Sequence, residues 1–200
     1  MSIVARIREI LVAEAAAINA VDVNDSFKRA IDLLESCPGK IVAAGMGKAG
    51  LAARKFAAVL CSTGTVAVFL NPGDAAHGDL GVISKDDCLV AFSTSGETRE
   101  VLEMIGQARK LGLGTMISIT SHPDSSLRKM SDVVLDMGEV PEPCPLKVTP
   151  TASIAVMSAI SDALALILME RKEITIRDIG LRHHGGYIGK ATRSHSEKQG

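Results

Sequence analysis

Aromatic residues are scarce in this chain of 200 residues, where they make up 2% of the composition and Trp is absent. Stacking platforms for single-stranded nucleic acid are therefore not expected. Positive charge is not in excess either, because 22 Lys and Arg stand against 23 Asp and Glu, for a formal net charge of -1. Nucleic-acid-binding domains carry a basic footprint that such a balance does not supply. We therefore expect no nucleic-acid partner.

Cysteine is sparse, and the four cysteines do not form any CxxC pair; they are Cys37, Cys61, Cys88 and Cys144. A zinc knuckle is not expected from this spacing, and a reduced, cytoplasmic protein is favoured. Gly, Ser or charged residues interrupt the apolar runs before the roughly 20 residues that a membrane span needs. The first 21 residues carry charges within an apolar pattern, which predicts an amphipathic helix and not a signal peptide. We expect no membrane association.

Short apolar segments alternate with longer helical patterns along the chain, in which 46% of residues are hydrophobic. Strands are predicted at residues 40–45, 65–70, 87–93, 115–120 and 132–137. Helices are predicted at residues 2–20, 25–36, 48–64, 98–112, 125–131 and 151–172. Strands that are apolar throughout are buried on both faces, as in a parallel sheet covered by helices. The pattern predicts a doubly wound α/β fold, with one domain over residues 1–190 and a flexible polar tail over 191–200.

The first predicted strand ends in GMGKAG, where Gly45, Gly47 and Gly50 satisfy GxGxxG. A dinucleotide site also needs an acid at the end of the second strand, and the residue there is Asn71. Lys48, inside the loop, suits a single phosphate or a sugar oxygen better than a pyrophosphate. The alternative is that the glycines only permit a tight turn from strand to helix.

The third predicted strand ends in FSTSGETRE, which places the hydroxyls of Ser93, Ser95 and Thr98 at the start of the next helix. Helix N-termini offer free N–H groups and the positive end of a dipole. Ordinary N-capping needs one Ser or Thr, so several hydroxyls predict a cradle for a phosphate monoester. Glu97 is predicted to be a first-turn helix acid, and Glu100 is the candidate for facing the ligand.

Three further segments carry residues that are suited to proton transfer. DAAHGDLG contains His77, GEVPEPCPLKVTPTAS contains Glu142, and LRHHGG contains His183 and His184. Taken singly, each has an ordinary explanation, such as a hydrogen-bonded surface histidine or a solvated loop charge. Taken together, the motifs GMGKAG, STGT, NPGDAAHGDLG, STSGETRE, EPCPLKVTPTAS and LRHHGG are far more selective.

Their order and approximate spacing, over residues 5 to 190, resemble those of sugar isomerase (SIS) domains, and most closely the arabinose-5-phosphate isomerase group. The resemblance implies a three-layer αβα sandwich with a five-stranded parallel sheet. It implies interconversion of D-ribulose 5-phosphate and D-arabinose 5-phosphate through a cis-enediol, without a cofactor. The chain would be a form without the pair of CBS domains that most members carry. SIS proteins also include sugar-phosphate-binding modules without catalysis and isomerases for other phosphosugars, such as 3-hexulose 6-phosphate, and both alternatives stay open.

The resemblance also implies site residues, and the positions that match the family's catalytic residues are Lys48, Glu100, Glu142 and His183. Glu142 is expected to be the base for the carbon proton, with Glu100 as second choice, and Lys48 is expected to stabilise the enediolate. His77 or His183 would move oxygen protons. The expected substrate contacts are Gly47, Gly64, Thr65, His77, Ser93, Ser95, Thr98, Thr151 and Ser153.

Two departures from the family pattern matter. Asn71 stands where many members have a histidine that is associated with metal binding, so no metal site is expected. His184 replaces a family proline beside His183. Family members form tetramers with sites at subunit boundaries, so we expect a homotetramer in which His183 serves a neighbouring subunit.

Overall fold

The computed structural model describes residues 2–197, with side chains described up to residue 192. The helices are α1 (Ile3–Asn19), α2 (Asp25–Glu35), α3 (Gly47–Ser62), α4 (Pro72–Ala75), α5 (Arg99–Lys110), α6 (Ser126–Met130), α7 (Ala152–Arg171), α8 (Ile176–Arg182) and α9 (Gly186–Glu197), with a 3₁₀ helix at Asp79–Val82. The strands are β1 (Ile41–Gly45), β2 (Ala67–Leu70), β3 (Cys88–Phe92), β4 (Thr115–Thr120) and β5 (Val133–Asp136).

Within the described residues, these strands form one parallel sheet in the order β2-β1-β3-β4-β5. Every residue of β1 and β3 is buried, as expected for strands that helices cover on both sides. The predicted three-layer α/β sandwich with a five-stranded parallel sheet is confirmed. The chain order reverses between β1 and β3, where Gly45 pairs with Phe92.

Alternate residues of the central strands enter two separate cores. Ile41 and Ala43 pack with Phe56 and the helices α2, α3 and α7 on one face of the sheet. Val42 and Ala44 pack on the other face with side chains of α5 and α6. The period of two along a strand is what divides the apolar residues between the layers. α1 packs on the outside of α7.

Among residues 2–197, α7 is the one helix that is long and apolar enough to cross a membrane, judged by length and composition alone. The interruptions expected from the sequence are present, since Ser158, Ser161 and Asp162 break the apolar run, but the mean hydropathy of the helix stays high. Half of this helix is buried inside the protein, where it packs against α1 and α3. Helices that lie in a protein core commonly have this length and apolar composition.

The chain beyond residue 190 departs from the sequence-based prediction. Residues 191–197 belong to α9, so the predicted flexible tail is wrong over that range, and residues 198–200 lie outside the described residues. α9 packs against α8. Thr192 is buried there, and a Cβ at Gly180 would lie 3.0 Å from its Oγ1. The segment is mostly polar, so its sequence did not indicate that it packs against α8.

Asp87 joins the amino ends of β1 and β3. Its side chain is 1% exposed, and Lys40 Nζ lies 2.6 Å from Oδ2. The backbone N–H groups of Lys40 and Ser84 also donate to this carboxylate, at 3.0 and 2.7 Å. Burial alone raises the pKa of Asp87, but the hydrogen bonds from Lys40 and Ser84 outweigh burial and lower the pKa below its ordinary value.

We expect Asp87→Asn to lower the free energy of unfolding by about 1–3 kcal/mol at pH 7, because buried donors lose a charged acceptor. A carboxyl whose folded pKa is lowered stabilises the fold above its unfolded pKa of about 3.9, and the stabilisation is lost as pH falls through the folded pKa. Denaturant melts of both proteins between pH 7 and pH 3 should therefore converge at the acid end. Asp86→Asn, at an exposed neighbouring position, is the control, and a constant difference between Asp87→Asn and the unmutated protein over this range would contradict the account.

Candidate active site

The carboxyl edge of the sheet carries most of the predicted site residues. Since Gly45 and Phe92 end neighbouring strands in register, the segments that follow them start side by side. Ligands of doubly wound sheets bind in the crevice at such a reversal of strand order. The candidate site is therefore the space above β1 and β3.

α3 begins on the β1 side of this crevice. Gly47 has a φ of 55°, a conformation that favours glycine. A Cβ at Gly50 would lie 2.5 Å from the carbonyl oxygen of Gly45, so these glycines let the helix start close to the strand. Lys48, the second residue of α3, is exposed. The GxGxxG match thus reflects tight strand-to-helix packing, with a lysine at the helix start.

The hydroxyls of the STSGET segment follow directly after β3, at the same edge of the sheet. Ser93 Oγ is buried, accepts a hydrogen bond from Gly96 N at 3.0 Å and lies 2.9 Å from Thr98 Oγ1. One hydroxyl of this pair donates to the other, which leaves one O–H of the pair to donate to a ligand. Ser95 Oγ accepts from Glu97 N at 3.2 Å, and its own O–H is a second donor.

The helices that begin at this edge differ in how their first N–H groups are satisfied. At α4, Asn71 accepts from Gly73 N. Glutamates accept from the first N–H group of two further helices, Glu97 at α6 and Glu142 at α7. The N-terminal residues before α3 and α5 make no side-chain capping hydrogen bond. The helix starts left open are the two that flank the crevice, where N–H groups and the helix dipoles favour an anion.

Glu142 is held by the start of α7. Its carboxylate accepts from the backbone N–H groups of Thr151, Ala152 and Ser153 at 2.8, 2.9 and 3.1 Å, and also from the Ser153 hydroxyl. Burial alone raises the pKa of Glu142, but these hydrogen bonds outweigh burial and lower the pKa. The predicted substrate contacts Thr151 and Ser153 are thereby engaged by Glu142, and Ser153 is buried. This contact joins residues nine to eleven positions apart, which the motif alone does not indicate.

Glu97 also differs from its prediction as a first-turn acid of α5. The helix begins at Arg99, with Thr98 as its N-cap, and Glu97 Oε1 instead accepts from Ser126 N of α6 at 2.6 Å. A role at α5 was expected because Glu97 lies beside the predicted start of that helix, whereas its contact with α6 depends on tertiary packing.

A groove of about 770 Å³ runs between α4 and α5, and both His77 and Glu100 line it. Further charged or polar groups in its wall are Arg99, Glu103 and Lys110. The groove thus brings a candidate acid and a candidate histidine from separate strand ends to one space. Lys48 is outside this lining, on the start of α3.

Several groove residues were not predicted, although their spacing provided a signal. Glu100, Glu103, Met104, Gln107 and Leu111 all line the groove. Their separations of three, four and seven positions put them on one face of a helix. If Glu100 faces the ligand, the other residues on the same face of α5 are expected to line the site as well.

Gly64 and Thr65 lie at the opposite, amino edge of the sheet, so their predicted substrate contact is wrong for a site within one subunit. They follow α3 and precede β2. Gly64 has a φ of 88°, which suits the left-handed residue after a helix. Thr65 is buried, and its Oγ1 accepts from Lys172 Nζ at 2.9 Å. The STGT motif here closes the turn between helix and strand.

His183 is also remote from the carboxyl edge of its own subunit. α7 runs about 30 Å back across the sheet, and α8 then ends at His183, whose Nδ1 lies 3.1 Å from the carbonyl oxygen of Ile179. A Cβ at Gly64 would lie 3.5 Å from the Arg182 guanidinium, which places this segment by the amino edge. The structure therefore does not bring His183 to Lys48 or Glu100 within one chain.

In the part of the chain that the structure describes, no three His, Cys, Asp or Glu residues are grouped so that they could hold a metal ion. Asn71, at the position where a metal-ligating histidine was considered, caps α4 through Gly73 N at 2.9 Å.

Comparisons with known proteins agree with this arrangement. A family model described as SIS domain matches residues 34–167. Arabinose 5-phosphate isomerase KdsD of Pseudomonas aeruginosa is 42% identical over 168 residues, which are 84% of this chain and 51% of that protein. KdsD of Escherichia coli K12 is 38% identical over 185 residues, which are 92% of this chain and 56% of that protein. The chain spans about half the length of these curated relatives.

Two solved structures match over the whole of their own chains. A protein of Bacteroides fragilis, described as a candidate phosphosugar isomerase involved in capsule formation, is 43% identical with a TM-score of 0.90, over 93% of this chain and 100% of that one. A protein of Escherichia coli CFT073, solved in complex with A5P, is 37% identical with a TM-score of 0.87, over 92% and 100%. The resemblance drawn from the motifs is confirmed: the chain belongs to the SIS domain family.

Proposed function

We propose that this protein is an aldose–ketose isomerase that interconverts D-ribulose 5-phosphate and D-arabinose 5-phosphate through a cis-enediol. The observation that carries the proposal is the pair of open helix starts, α3 and α5, beside the hydroxyls of Ser93, Ser95 and Thr98. The names of the relatives, and the neighbour solved with A5P, an abbreviation of arabinose 5-phosphate, support the choice of sugar.

The crevice suits a phosphate monoester in charge and in donors. Helices of 16 and 12 residues, α3 and α5, direct their N-termini toward it, and each start adds a partial positive charge. Ser95 and the Ser93–Thr98 pair supply O–H donors, and Lys48 adds a full positive charge at the start of α3. A phosphate dianion in this position would accept hydrogen bonds from the N–H groups at the starts of α3 and α5, which no capping side chain uses.

The isomerisation moves a proton between C1 and C2 and needs a base close to the sugar carbons. Glu100 is the acid we assign to this step, because it lines the groove and follows the phosphate cradle by two residues. His77, on the same groove, is assigned to the oxygen proton, and Lys48 is assigned to stabilising the enediolate.

Glu142 is reassigned from carbon base to structural cap. Its carboxylate accepts hydrogen bonds from three backbone N–H groups and the Ser153 hydroxyl, and its pKa is lowered. A carboxylate whose pKa is lowered is a weaker base and removes a proton from carbon less readily. Moving this carboxylate to a substrate would also uncap α7.

We infer a homotetramer from two separate exposed apolar surfaces. On α1, the side chains of Val4, Ile7 and Leu11 are 73%, 53% and 62% exposed, at the spacing of one helix face. At the C-terminal end, Leu181 and Tyr187 are 75% and 86% exposed. Apolar surfaces of this kind mark interfaces, and a tetramer of D₂ symmetry requires two distinct self-complementary interfaces.

In such a tetramer we propose that His183 enters the groove of a neighbouring copy. The groove of one chain already holds His77 and Glu100, while His183 sits beside the exposed Leu181 and Tyr187 that would meet a partner. A shared site accounts for a family histidine that lies so far from the acids of its own chain.

We also propose that the protein acts in the cytoplasm. All four cysteines are free thiols in the structure, which is the state that a reducing compartment maintains.

Exchanging each acid for its amide separates the two assignments. We expect Glu100→Gln to lower kcat by about 10²–10⁴-fold, the range of general base catalysis, with little change in melting temperature. We expect Glu142→Gln to lower the free energy of unfolding by about 1–3 kcal/mol, because its amide NH₂ would face backbone donors. Steady-state kinetics and thermal melts of both variants test this, and a stable Glu142→Gln variant with the larger loss of kcat would return the base to Glu142.

Mixing inactive subunits tests the shared site. Glu100→Gln and His183→Asn are each expected to be inactive as pure oligomers. Co-expressed in equal amounts, they should recover about a quarter of unmutated activity, since that share of sites would pair an intact groove with an intact histidine from a neighbour. No recovery in oligomers shown to contain both chains would place His183 and Glu100 in the same chain's site.

Proton NMR with D-ribulose 5-phosphate in deuterated water tests the reaction itself. We expect an arabinose 5-phosphate anomeric signal with deuterium at C2, because an enediol exchanges the carbon proton with solvent. Binding of the sugar phosphate without conversion or exchange would favour a binding module, and exchange without this product would indicate another phosphosugar as substrate.

A further inference from the structure

The carboxylate of Glu97 connects the phosphate-binding turn to a different helix. Glu97 stands between Ser95 and Thr98, two of the hydroxyl residues of the cradle. Its Oε1 accepts a hydrogen bond from Ser126 N at 2.6 Å, and Ser126 is the first residue of α6. The contact spans 29 positions of sequence and crosses from the end of β3 to the end of β4.

Two backbone contacts fix the same turn. Leu127 N donates to the carbonyl oxygen of Gly96 at 3.0 Å, and Ser121 N donates to that of Thr94 at 3.1 Å. Gly96 has a φ of 65°, and a Cβ there would lie 2.3 Å from Ser125 Oγ. The turn is thus seated closely on the start of α6, and Glu97 supplies its side-chain attachment.

Movement of Glu97 would move both neighbouring hydroxyls. Ser95 Oγ accepts from the backbone N–H of Glu97, so the orientation of Ser95 depends on that peptide. Thr98 follows directly and is the N-cap of α5, whose Oγ1 pairs with Ser93. Fixing Glu97 therefore fixes the donors on either side of it.

The negative charge of Glu97 is compensated away from the crevice. The hydrogen bond from Ser126 lowers the pKa of Glu97, and the positive charges of Lys129 and His122 act in the same direction. The carboxylate is thus held ionised at the start of α6, where its charge is favourable.

We propose that Glu97 is a positioning residue: by binding Ser126 N it holds Ser95 and Thr98 in the geometry that binds the phosphate of the substrate. The inference depends on the proposed function, because it assigns Glu97 a part in the same phosphate site. It predicts that loss of this hydrogen bond weakens phosphate binding while the rate of the chemical step changes little.

Three variants and one control test the link. Glu97→Ala removes the acceptor, and Glu97→Gln keeps an acceptor oxygen without the charge. Ser126→Pro removes the donor N–H while keeping Glu97; proline is tolerated at the first position of a helix, and Ser125 already has the extended backbone that precedes proline. Asn24→Ala is the control, because it removes a comparable cap from α2, where Asn24 accepts from Ser26 N at 3.0 Å.

The measurements are KM and kcat for D-ribulose 5-phosphate and the Kd of inorganic phosphate by calorimetry, on the full chain. We expect Glu97→Ala and Ser126→Pro to raise KM and Kd by about tenfold or more with kcat changed by less than about threefold, and Glu97→Gln and Asn24→Ala to resemble the unmutated protein. Losses in melting temperature alone would overturn the proposal.

If Glu97→Gln weakens phosphate binding as much as Glu97→Ala does, the proposal is overturned too, since the charge of Glu97 and not its acceptor oxygen would then matter. Tighter phosphate binding in both Glu97 variants would show that removing repulsion outweighs positioning, and would likewise contradict it. The unmutated protein separates this test from the proposed function: phosphate binding without turnover would reject the isomerase and leave the Glu97 comparison valid, whereas no phosphate binding would reject the cradle and this inference with it.

Discussion

Peptide N–H groups at the starts of α3 and α5 lack a capping side chain, and the register of Gly45 with Phe92 brings these two starts together. A helix start left in this state favours an anion, and two of them at one reversal of strand order define a place for one. The glycines at positions 47 and 50 allow α3 to begin close to its strand. The hydroxyls after β3 then add directed donors to the same space.

The carboxylates around this site act mainly by satisfying the other helix starts. Glu97 accepts from the start of α6 and Glu142 from the start of α7, so an incoming phosphate would have to compete with a carboxylate at either of those helix starts. Glu100 is different, because it lines an open groove with His77. The same residue type thus has two uses at this edge, and the hydrogen-bond partners distinguish them better than the position in a motif does.

Much of the fold could be predicted from the sequence, because burial of both sheet faces leaves a direct signal in the apolar runs of residues 41–45 and 88–92. The position of Ser93, Ser95 and Thr98 at the carboxyl edge was also predictable, since they are close in sequence and immediately follow a strand. The partners of Glu97 and Glu142 were not, because each contact joins segments whose meeting depends on tertiary packing. The position of Gly64 and Thr65 at the amino edge was not predictable from the motif, because a family motif gives residue types, while the edge of the sheet at which a residue lies depends on the direction of the chain. His183 lies away from the carboxyl edge of its own chain, as a residue expected to serve a neighbouring subunit would.

A crystal structure with bound arabinose 5-phosphate tests the central claim most directly. The account predicts the phosphate between the starts of α3 and α5, within hydrogen-bonding distance of Ser95 and of the Ser93–Thr98 pair, with Glu142 still on the N–H groups of α7 and the sugar carbons toward Glu100. A phosphate at the start of α7 in place of Glu142, or at the amino edge beside Thr65 of the same chain, would contradict it.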